Sequence, residues 1–269
     1  MSTDPFSLQG DPLIEAVTAA VRVHMSQYDG SHDFNHIRRV VGLSSHLYQA
    51  YTKANTGKPA DARVVALAAL LHDVGDRKYI KSADYAPVSD DEVQAIDALV
   101  KDTPYASDTG ARATAAVFHR CAQSVPAGEG KAKEEDIVEL GRQVIKVCQN
   151  VSWSGENKTD ETRAAVAELA RNMPELAIVQ DADRLDSLGA VGVARCFAYG
   201  AKAGADGKAN GRTLEDSLDH FDEKLVIVGQ RMKTPEGTRL AEERTERLRT
   251  VQKWFQNEAS FAVGGGVEA

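Results

Sequence analysis

The fold is decided by the stretch Ala66-Leu67-Ala68-Ala69-Leu70-Leu71-His72-Asp73-Val74-Gly75-Asp76. Its first six residues are small or aliphatic, which predicts a buried helix. The helix then ends in an imidazole and a carboxylate side by side, followed by a glycine suited to the C′ position. Burying both polar groups without partners would cost on the order of several kcal/mol. A metal ion, a salt bridge or exposure to solvent would each reduce that cost.

Helical periodicity recurs along the rest of the chain. Apolar residues spaced three or four apart predict further helices over residues 11–25, 31–53, 61–74, 89–100, 108–122, 134–151, 159–172, 176–200 and 214–256. Asp11 and Pro12 suit the N-cap and first position of the first of these, Ser89 or Asp90 suits the N-cap of the fourth, and Pro235 is a candidate break in the last. Few segments alternate as strands do, so we predict an all-α fold.

The composition bounds the size and the class of protein. A chain of 269 residues with 42% hydrophobic residues can bury a large core. We predict a single helical-bundle domain over residues 1–260 with additional C-terminal helices, followed by a flexible tail over 261–269. The net charge of −8 argues against a broad surface for duplex nucleic acid. No apolar run approaches the roughly 18 residues of a membrane span.

The cysteines and the N-terminal residues bear on the compartment. Cys121, Cys148 and Cys196 are far apart, odd in number and outside any CxxC motif, which favours reduced thiols. The first residues have no basic stretch followed by an apolar one, so no signal peptide is predicted. We therefore expect a cytoplasmic protein. The oligomeric state is not readable from the sequence, and a homodimer is one option.

Two loops stand out in this pattern. The segment 125–131 is rich in Pro and Gly and is predicted to be a surface insertion. The segment 201–212 is Gly-rich and basic, but it lacks the strand and the GK[ST] ending of a phosphate-binding P-loop. We interpret this second segment as a mobile loop, with a substrate lid as the alternative.

A second histidine precedes the central pair. His36 lies one turn before Val40, on the inward face of its predicted helix. Helices joined by a short loop usually pack antiparallel, so His36 and the pair His72-Asp73 should lie at the same end of two helices. Imidazole and carboxylate groups converging from separate elements are typical of a catalytic metal site.

A further carboxylate is expected from a later helix. Asp181, Asp183 and Asp186 lie within an otherwise apolar segment, where charged groups need partners. Asp181 and Asp183 are about 200° apart around a helix, so they cannot both face one ion. Periodicity alone does not choose between them.

These motifs resemble those of a known family. His36, then His72-Asp73, then Asp183 in its Ala-Asp-Arg-Leu context, resemble the H…HD…D pattern of the HD-domain metal-dependent phosphohydrolases. The segment 179–190 is similar to that of a YedJ-like subgroup, and Ser152-Trp153-Ser154 resembles a Ser-aromatic-Ser stretch found there. The matched motifs span residues 32–190. The resemblance is specific because four ligand residues occur in order, each in its own local context.

The resemblance implies a ligand set and a fold. It implies an all-α HD domain with one divalent ion bound by His36, His72, Asp73 and Asp183, and so favours Asp183 over Asp181. Such a ligand set suits Mn²⁺, Mg²⁺, Fe²⁺, Co²⁺ or Ni²⁺. Dinuclear members carry extra histidines between the HD pair and the last aspartate. His119 is the one histidine in that interval, with a second-metal role or a structural role as its alternatives.

Other residues are candidates for binding and proton transfer. Asp76 matches a position where some nucleotidase members carry an acidic residue, which makes it the candidate general acid/base; capping or an ion pair with a neighbour is its alternative. Asp33 either orients a ligand histidine or caps the second helix. The candidates for phosphate contact are Lys78, Arg39 and Arg184, and the two arginines have buried ion pairing as their alternative. Asp73 is assigned to both the metal and the catalytic set.

We therefore predict a phosphohydrolase that cleaves a phosphate ester with metal-activated water. Its partner would be a small phosphorylated substrate, with a nucleotide as one candidate. One alternative is a catalytically weak HD module that binds nucleotides as a sensor. A di-iron HD-type oxygenase is the weaker alternative, because it needs more histidine ligands than this chain offers.

Overall fold

The structure is a computed structural model that describes residues 10–28, 33–54, 57–76, 80, 85–101, 103–125, 134–207 and 211–261. Within these ranges the chain forms helices, turns and no strand, which confirms the all-α prediction. The helices are α1 (Pro12–Met25), α2 (Phe34–Ala54), α3 (Ala62–Leu71), α4 (Asp90–Val100), α5 (Thr109–Ser124), α6 (Glu134–Val151), α7 (Trp153–Glu156), α8 (Asp160–Asn172), α9 (Pro174–Asp186), α10 (Gly189–Ala205), α11 (Leu214–His220), α12 (Val226–Gly229) and α13 (Pro235–Ala259), with a π-helical turn at Phe221–Leu225.

The described helices group into two compact units, Met1–Asp183 and Arg184–Ala269. In the first unit α3 lies at the centre and packs against α1, α2 and α6. Every residue of α3 from Val64 to Leu71 is buried, as the apolar run predicts. The single domain expected over residues 1–260 stays a prediction.

Capping residues set several helix starts as predicted. The Asp11 carboxylate accepts a hydrogen bond from the Leu13 backbone N–H at 2.9 Å, with Pro12 at the first helical position. Ser89, rather than Asp90, is the N-cap of α4, since its hydroxyl accepts from the Glu92 N–H at 3.2 Å. The second helix begins at Phe34, three residues later than predicted.

The prediction that the central helix continues to Val74 is wrong. The helix α3 ends at Leu71, and the Val74 N–H donates to the Leu71 carbonyl at 3.0 Å, a bond three residues long that tightens the chain into a turn. Gly75 does not take a left-handed conformation. It is required for another reason: a Cβ there would lie 2.7 Å from the carbonyl oxygen of Gly110 on α5.

The single helix predicted over residues 176–200 is two helices. The Ser187 N–H donates to the Arg184 carbonyl at 3.0 Å and ends α9 in a tight turn. Gly189 then adopts a φ of 68°, a left-handed conformation that other residues reach only at a cost. The helical conformation is therefore interrupted between α9 and α10.

The helix predicted over residues 214–256 is also divided. It consists of α11, the π-helical turn, α12 and α13. The break expected at Pro235 is confirmed, since Pro235 is the first residue of α13 and Thr234 caps it by accepting from the Gly237 N–H at 3.0 Å. The short helix α7 was not predicted from the sequence.

Parts of the predicted loops and tail lie outside the described residues. Most of the segment 125–131 and the tail from 262 onward fall there, and so does Lys78. The segment 201–212 begins within α10, which extends to Ala205, so the predicted loop is shorter than expected. None of the helices in the described ranges combines the length and the apolar character needed to cross a membrane.

Candidate metal centre

The first part of the site is the start of α2. Asp33 accepts a hydrogen bond from the His36 backbone N–H at 3.1 Å, which is the geometry of a helix cap. Of the two roles expected for Asp33, its described contacts support the cap. His36 faces inward and only 1% of its side chain is exposed. The cap therefore stabilises the first turn of α2, from which the His36 imidazole points into the protein.

The second part is the turn after α3. His72 Nδ1 lies 2.9 Å from the Ala69 carbonyl oxygen, so Nδ1 carries the proton and Nε2 presents a lone pair. The turn continues with the Asp76 N–H donating to the Asp73 carbonyl at 3.1 Å. Because the helix has already ended, His72 and Asp73 are not held about 100° apart and can face the same point.

The third part is α9, which brings Asp183 to the other two. His36 Nε2 lies 3.3 Å from an oxygen of Asp73 and 3.5 Å from Asp183 Oδ1. His72 Nε2 lies 3.3 Å from His36 Nε2, 3.5 Å from Asp73 and 3.8 Å from Asp183. Two imidazole nitrogens and two carboxylates thus converge on one point from α2, the turn after α3, and α9.

The donor set suits a divalent ion. The two imidazole nitrogens lie 3.3 Å apart, and that of His72 presents a lone pair. These groups and the two carboxylates repel one another unless a cation or protons lie between them. Within the described residues, His36, His72 and Asp183 form the group whose ligand atoms lie close enough to hold one ion, all within 4.8 Å. Asp73 is outside that group, although its oxygens lie 3.3 Å from His36 Nε2 and 3.5 Å from His72 Nε2. Asp181, which is fully buried, is outside it as well.

A buried thiol borders the centre. Cys148 Sγ lies 3.7 Å from the Ala68 carbonyl oxygen on α3. Burial, reinforced by the negative charge of Asp73, raises the pKa of Cys148 well above its usual range. Burial also raises the pKa of Cys121 to about 11. Both thiols stay protonated near neutral pH, so neither is a nucleophile there.

The predicted substrate residues have different surroundings. Arg39 lines a shallow depression of about 450 Å³ at the start of α2, together with Asp33, Asn35 and Arg38. Since Arg39 follows His36 by three residues, it lies about 60° around the helix from the candidate ligand. The sequence analysis did not select Asn35 and Arg38. Asn35 lies four residues before Arg39, and this helical spacing could have found it; Arg38 is the direct neighbour of Arg39, and no spacing marks it.

Arg184 and Asp186 have structural contacts. Arg184 is 2% exposed and its guanidinium donates to the Arg231 carbonyl at 3.0 Å. Asp186 pairs with Arg195 at 2.9 Å in the same unit. The Arg184 contact is with a backbone carbonyl, so it tests neither the phosphate contact nor the ion pair with the site aspartates that the sequence suggested, and both stay predictions.

His119 is not among the grouped ligand atoms in the described part of the chain. It lies on α5 beside Arg120, and its charge would act on Glu92. This position supports the structural alternative for His119.

Proteins of known structure share the fold of this chain. No family model matches the chain. YpgQ of Bacillus subtilis (strain 168), described as an uncharacterized protein, is 27% identical over 230 residues, which cover 86% of this chain and 85% of YpgQ. The crystal structure of YpgQ in complex with ADP has a TM-score of 0.51 and 26% identity, covering 91% of this chain and 98% of YpgQ.

Two further solved structures are similar. A Lactobacillus plantarum protein has a TM-score of 0.59 at 20% identity, covering 94% of this chain and 99% of that one. A Bacillus thuringiensis protein described as an HD-superfamily hydrolase has a TM-score of 0.45 at 24% identity, covering 92% and 97%. The first of these shows a shared fold, whereas the second is too distant to bear on the activity of this chain.

Proposed function

We propose that the chain is an HD-type metal-dependent phosphohydrolase that cleaves a small phosphate ester. The observation that carries the proposal is the convergence of His36, His72, Asp73 and Asp183 at distances of 3.3–3.8 Å. The motif order supports membership of the HD superfamily, with the YedJ-like subgroup as the finer assignment. The three buried cysteines, which form no disulfide, support the expected cytoplasmic location.

Each residue has a role in this proposal. His36, His72, Asp73 and Asp183 would hold one divalent ion. Such an ion offsets charge on a phosphoryl oxygen and lowers the pKa of a coordinated water. Asp76, in the turn that follows the ligands, would take a proton from the attacking water or return one to the leaving oxygen. Arg39 would neutralise a further phosphate oxygen.

The substrate class proposed is a nucleotide. It is supported by the ADP complex of YpgQ and by the pair Arg38 and Arg39 in one depression next to the start of α2. The same observations favour a second candidate function, a nucleotide-binding sensor without turnover. Lys78 remains a proposed phosphate contact.

The test combines metal analysis with an activity screen. We expect about one Mn²⁺, Fe²⁺, Co²⁺, Ni²⁺ or Mg²⁺ per chain by mass spectrometry and turnover of nucleotides or p-nitrophenyl phosphate with added Mn²⁺. Asp73→Ala should lose both metal and turnover. Asp76→Asn should keep the metal and lose at least about 100-fold in kcat, the lower range for general acid–base groups.

The outcomes separate the candidate functions. Tight nucleotide binding with no turnover across a broad phosphate panel would support the sensor. Two irons per chain would instead support the oxygenase. Turnover that survives Asp73→Ala would contradict the proposed metal centre.

A further inference from the structure

The side chain of Gln180 is a buried polar group to which the proposed function gives no role. Gln180 lies on α9, three residues before Asp183, and it is fully buried. Residues three apart on a helix are separated by about 4.5 Å along the axis and by about 60° around it. A contact that holds the Gln180 side chain therefore also holds the turn of α9 that carries Asp183.

The polar contacts of Gln180 go to one segment, residues 148–156, which joins the end of α6 to α7. Gln180 Nε2 donates to the backbone carbonyl of Asn150 at 2.5 Å and to Glu156 Oε2 at 3.2 Å. An amide NH₂ group has two donors, one for each of these acceptors. Glu156 is only 4% exposed. Two bonds to one segment, both away from water, fix the plane of the Gln180 amide.

The carbonyl oxygen of the same side chain gains no bond from this orientation. Gln180 Oε1 is buried and accepts no hydrogen bond from any described residue. A buried acceptor without a donor costs free energy. The side chain thus satisfies its donors while its acceptor stays unbonded. The two bonds to residues 148–156 therefore determine how the side chain is oriented.

The same segment contacts the helix that leads to other candidate ligands. The Cys148 thiol donates to the Ala68 carbonyl at 3.7 Å, and Ala68 lies on α3, four residues before His72. Residues 148–156 therefore contact α3 through Cys148 and α9 through Gln180. The ligand atoms of His72 and Asp183, which follow these two contact points, lie 3.8 Å apart.

We propose that Gln180 is a positioning residue for the metal centre. By holding α9 to residues 148–156, it keeps Asp183 at the distance from the two histidines that a shared ion requires. Ligand distances in metal sites vary by only about 0.2 Å, so a small shift of α9 would weaken Asp183 as a ligand. This inference rests on the proposed metal centre and deepens it, because it assigns the placement of one ligand to a contact outside the ligand set.

The experiment measures the Mn²⁺ affinity of the full chain by titration calorimetry, and the Tm of the metal-free protein in parallel. Gln180→Met keeps an unbranched side chain of similar length and removes both donors. We expect it to weaken Mn²⁺ binding about tenfold or more, as the loss of groups that orient a ligand does. Glu156→Gln still offers an oxygen to Gln180 and should weaken Mn²⁺ binding less.

Two controls separate positioning from a general loss of stability. Asn150 Nδ2 donates to the Tyr105 hydroxyl at 2.7 Å. Tyr105→Phe deletes this bond of the same segment but leaves the Asn150 carbonyl able to accept from Gln180, so the Mn²⁺ affinity should be unchanged. Ile96→Val, in the core on α4, should lower the Tm through lost packing and also leave the Mn²⁺ affinity unchanged.

The outcomes distinguish this inference from the proposed function. If the unsubstituted protein binds no Mn²⁺, the metal centre itself is wrong, and the inference is overturned with it. If the unsubstituted protein and folded Gln180→Met bind Mn²⁺ equally well, only the positioning role is overturned. Equal weakening by Gln180→Met, Tyr105→Phe and Ile96→Val would also overturn it, because the effect would then follow stability alone.

A second variant covers the case in which Gln180→Met does not fold by circular dichroism. Gln180→Asn keeps the amide, but its side chain is one methylene shorter and cannot reach both acceptors. It should weaken Mn²⁺ binding for the same reason as Gln180→Met. Unchanged affinity in folded Gln180→Asn and in Glu156→Gln would then contradict the positioning role.

Discussion

At the scale of single residues, hydrogen bonds decide which atoms are available as ligands. His72 Nδ1 is committed to the Ala69 carbonyl, so the imidazole turns Nε2 toward the centre. Asp33 holds the backbone of His36 in the first turn of α2. Both contacts are local in sequence, within three residues of the histidine concerned. The orientation of each imidazole is therefore largely set before the distant aspartate is considered.

The choice between Asp181 and Asp183 can be tested at this scale. We expect Asp183→Asn to lower metal affinity by at least about tenfold, since even outer partners of a ligand contribute that much. Asp181→Asn should retain the metal, because Asp181 is not among the grouped ligand atoms. Metal content and isothermal titration with Mn²⁺ would measure both. The reverse order of effects would reassign the last ligand to Asp181.

At the scale of elements, the turn after α3 depends on two glycines that touch. A Cβ on Gly75 would lie 2.7 Å from the Gly110 carbonyl oxygen and 2.8 Å from Thr114 Oγ1, both on α5. We expect Gly75→Ala to lower the free energy of unfolding by about 1–3 kcal/mol, as overpacking does, and to weaken metal binding by shifting the turn.

The matched control is Gly42 on α2. A Cβ at Gly42 meets nothing within 4 Å, so Gly42→Ala should stabilise the protein by about 0.5–1 kcal/mol through helix propensity. Denaturant unfolding measures both variants. Equal free energies of unfolding for the two alanine variants would show that a Cβ at residue 75 can be accommodated between the turn and α5.

An ion pair between the buried Glu92 and the partly exposed Arg120 joins α4 to α5 and predicts a pH effect. The Glu92 carboxylate accepts from Arg120 Nε at 2.6 Å and from the Val88 N–H at 2.8 Å, and these bonds lower the pKa of Glu92, with Arg120 as the largest cause. Because the pKa of Glu92 is lower in the folded protein than the value of about 4.5 in the unfolded chain, the carboxylate stabilises the folded protein at pH values above 4.5. This stabilisation is lost as the pH falls through the pKa of the folded protein.

We therefore expect Glu92→Gln to be destabilised at pH 7 by roughly 1–3 kcal/mol, the range for a buried hydrogen bond to a charged group. The difference from the unsubstituted protein should shrink below about pH 4. Thermal unfolding from pH 3 to pH 8 measures it. Glu258→Gln, at an exposed residue of α13, is the control. A difference between Glu92→Gln and the unsubstituted protein that does not vary with pH would contradict this account.

At the scale of the whole molecule, an ion at the centre would tie together α2, the turn after α3 and α9. Such a ligand stabilises the folded state by about 2.7 kcal/mol when its concentration is 100-fold above Kd. We expect EDTA to lower the Tm of the metal-loaded protein and Mn²⁺ to restore it. Asp73→Ala should show no response to either reagent. If chelation left the Tm of the metal-loaded protein unchanged, this would contradict an ion that connects the three segments.

The sequence by itself determined the helical class, the central buried helix, the cap at Asp11 and the break at Pro235, and it narrowed the cap of α4 to Ser89 or Asp90. These features follow from local periodicity and from short side-chain contacts with the backbone. It also indicated His36, His72, Asp73 and Asp183 as candidate ligands through their resemblance to a known motif. Their roles stay predictions until metal is measured.

Only the tertiary structure decided the features that depend on contacts between distant segments. It divided the helix predicted over residues 176–200 at Gly189, which has a left-handed conformation. The sequence did not reveal this, because helical periodicity does not show which of several glycines takes such a conformation. It showed that α3 ends at Leu71. It also showed why residue 75 is a glycine, since a Cβ there would lie 2.7 Å from the Gly110 carbonyl oxygen. It also brought Asp183 within 3.5 Å of His36, because folding, and not spacing along the chain, sets the distance between two residues so far apart in sequence.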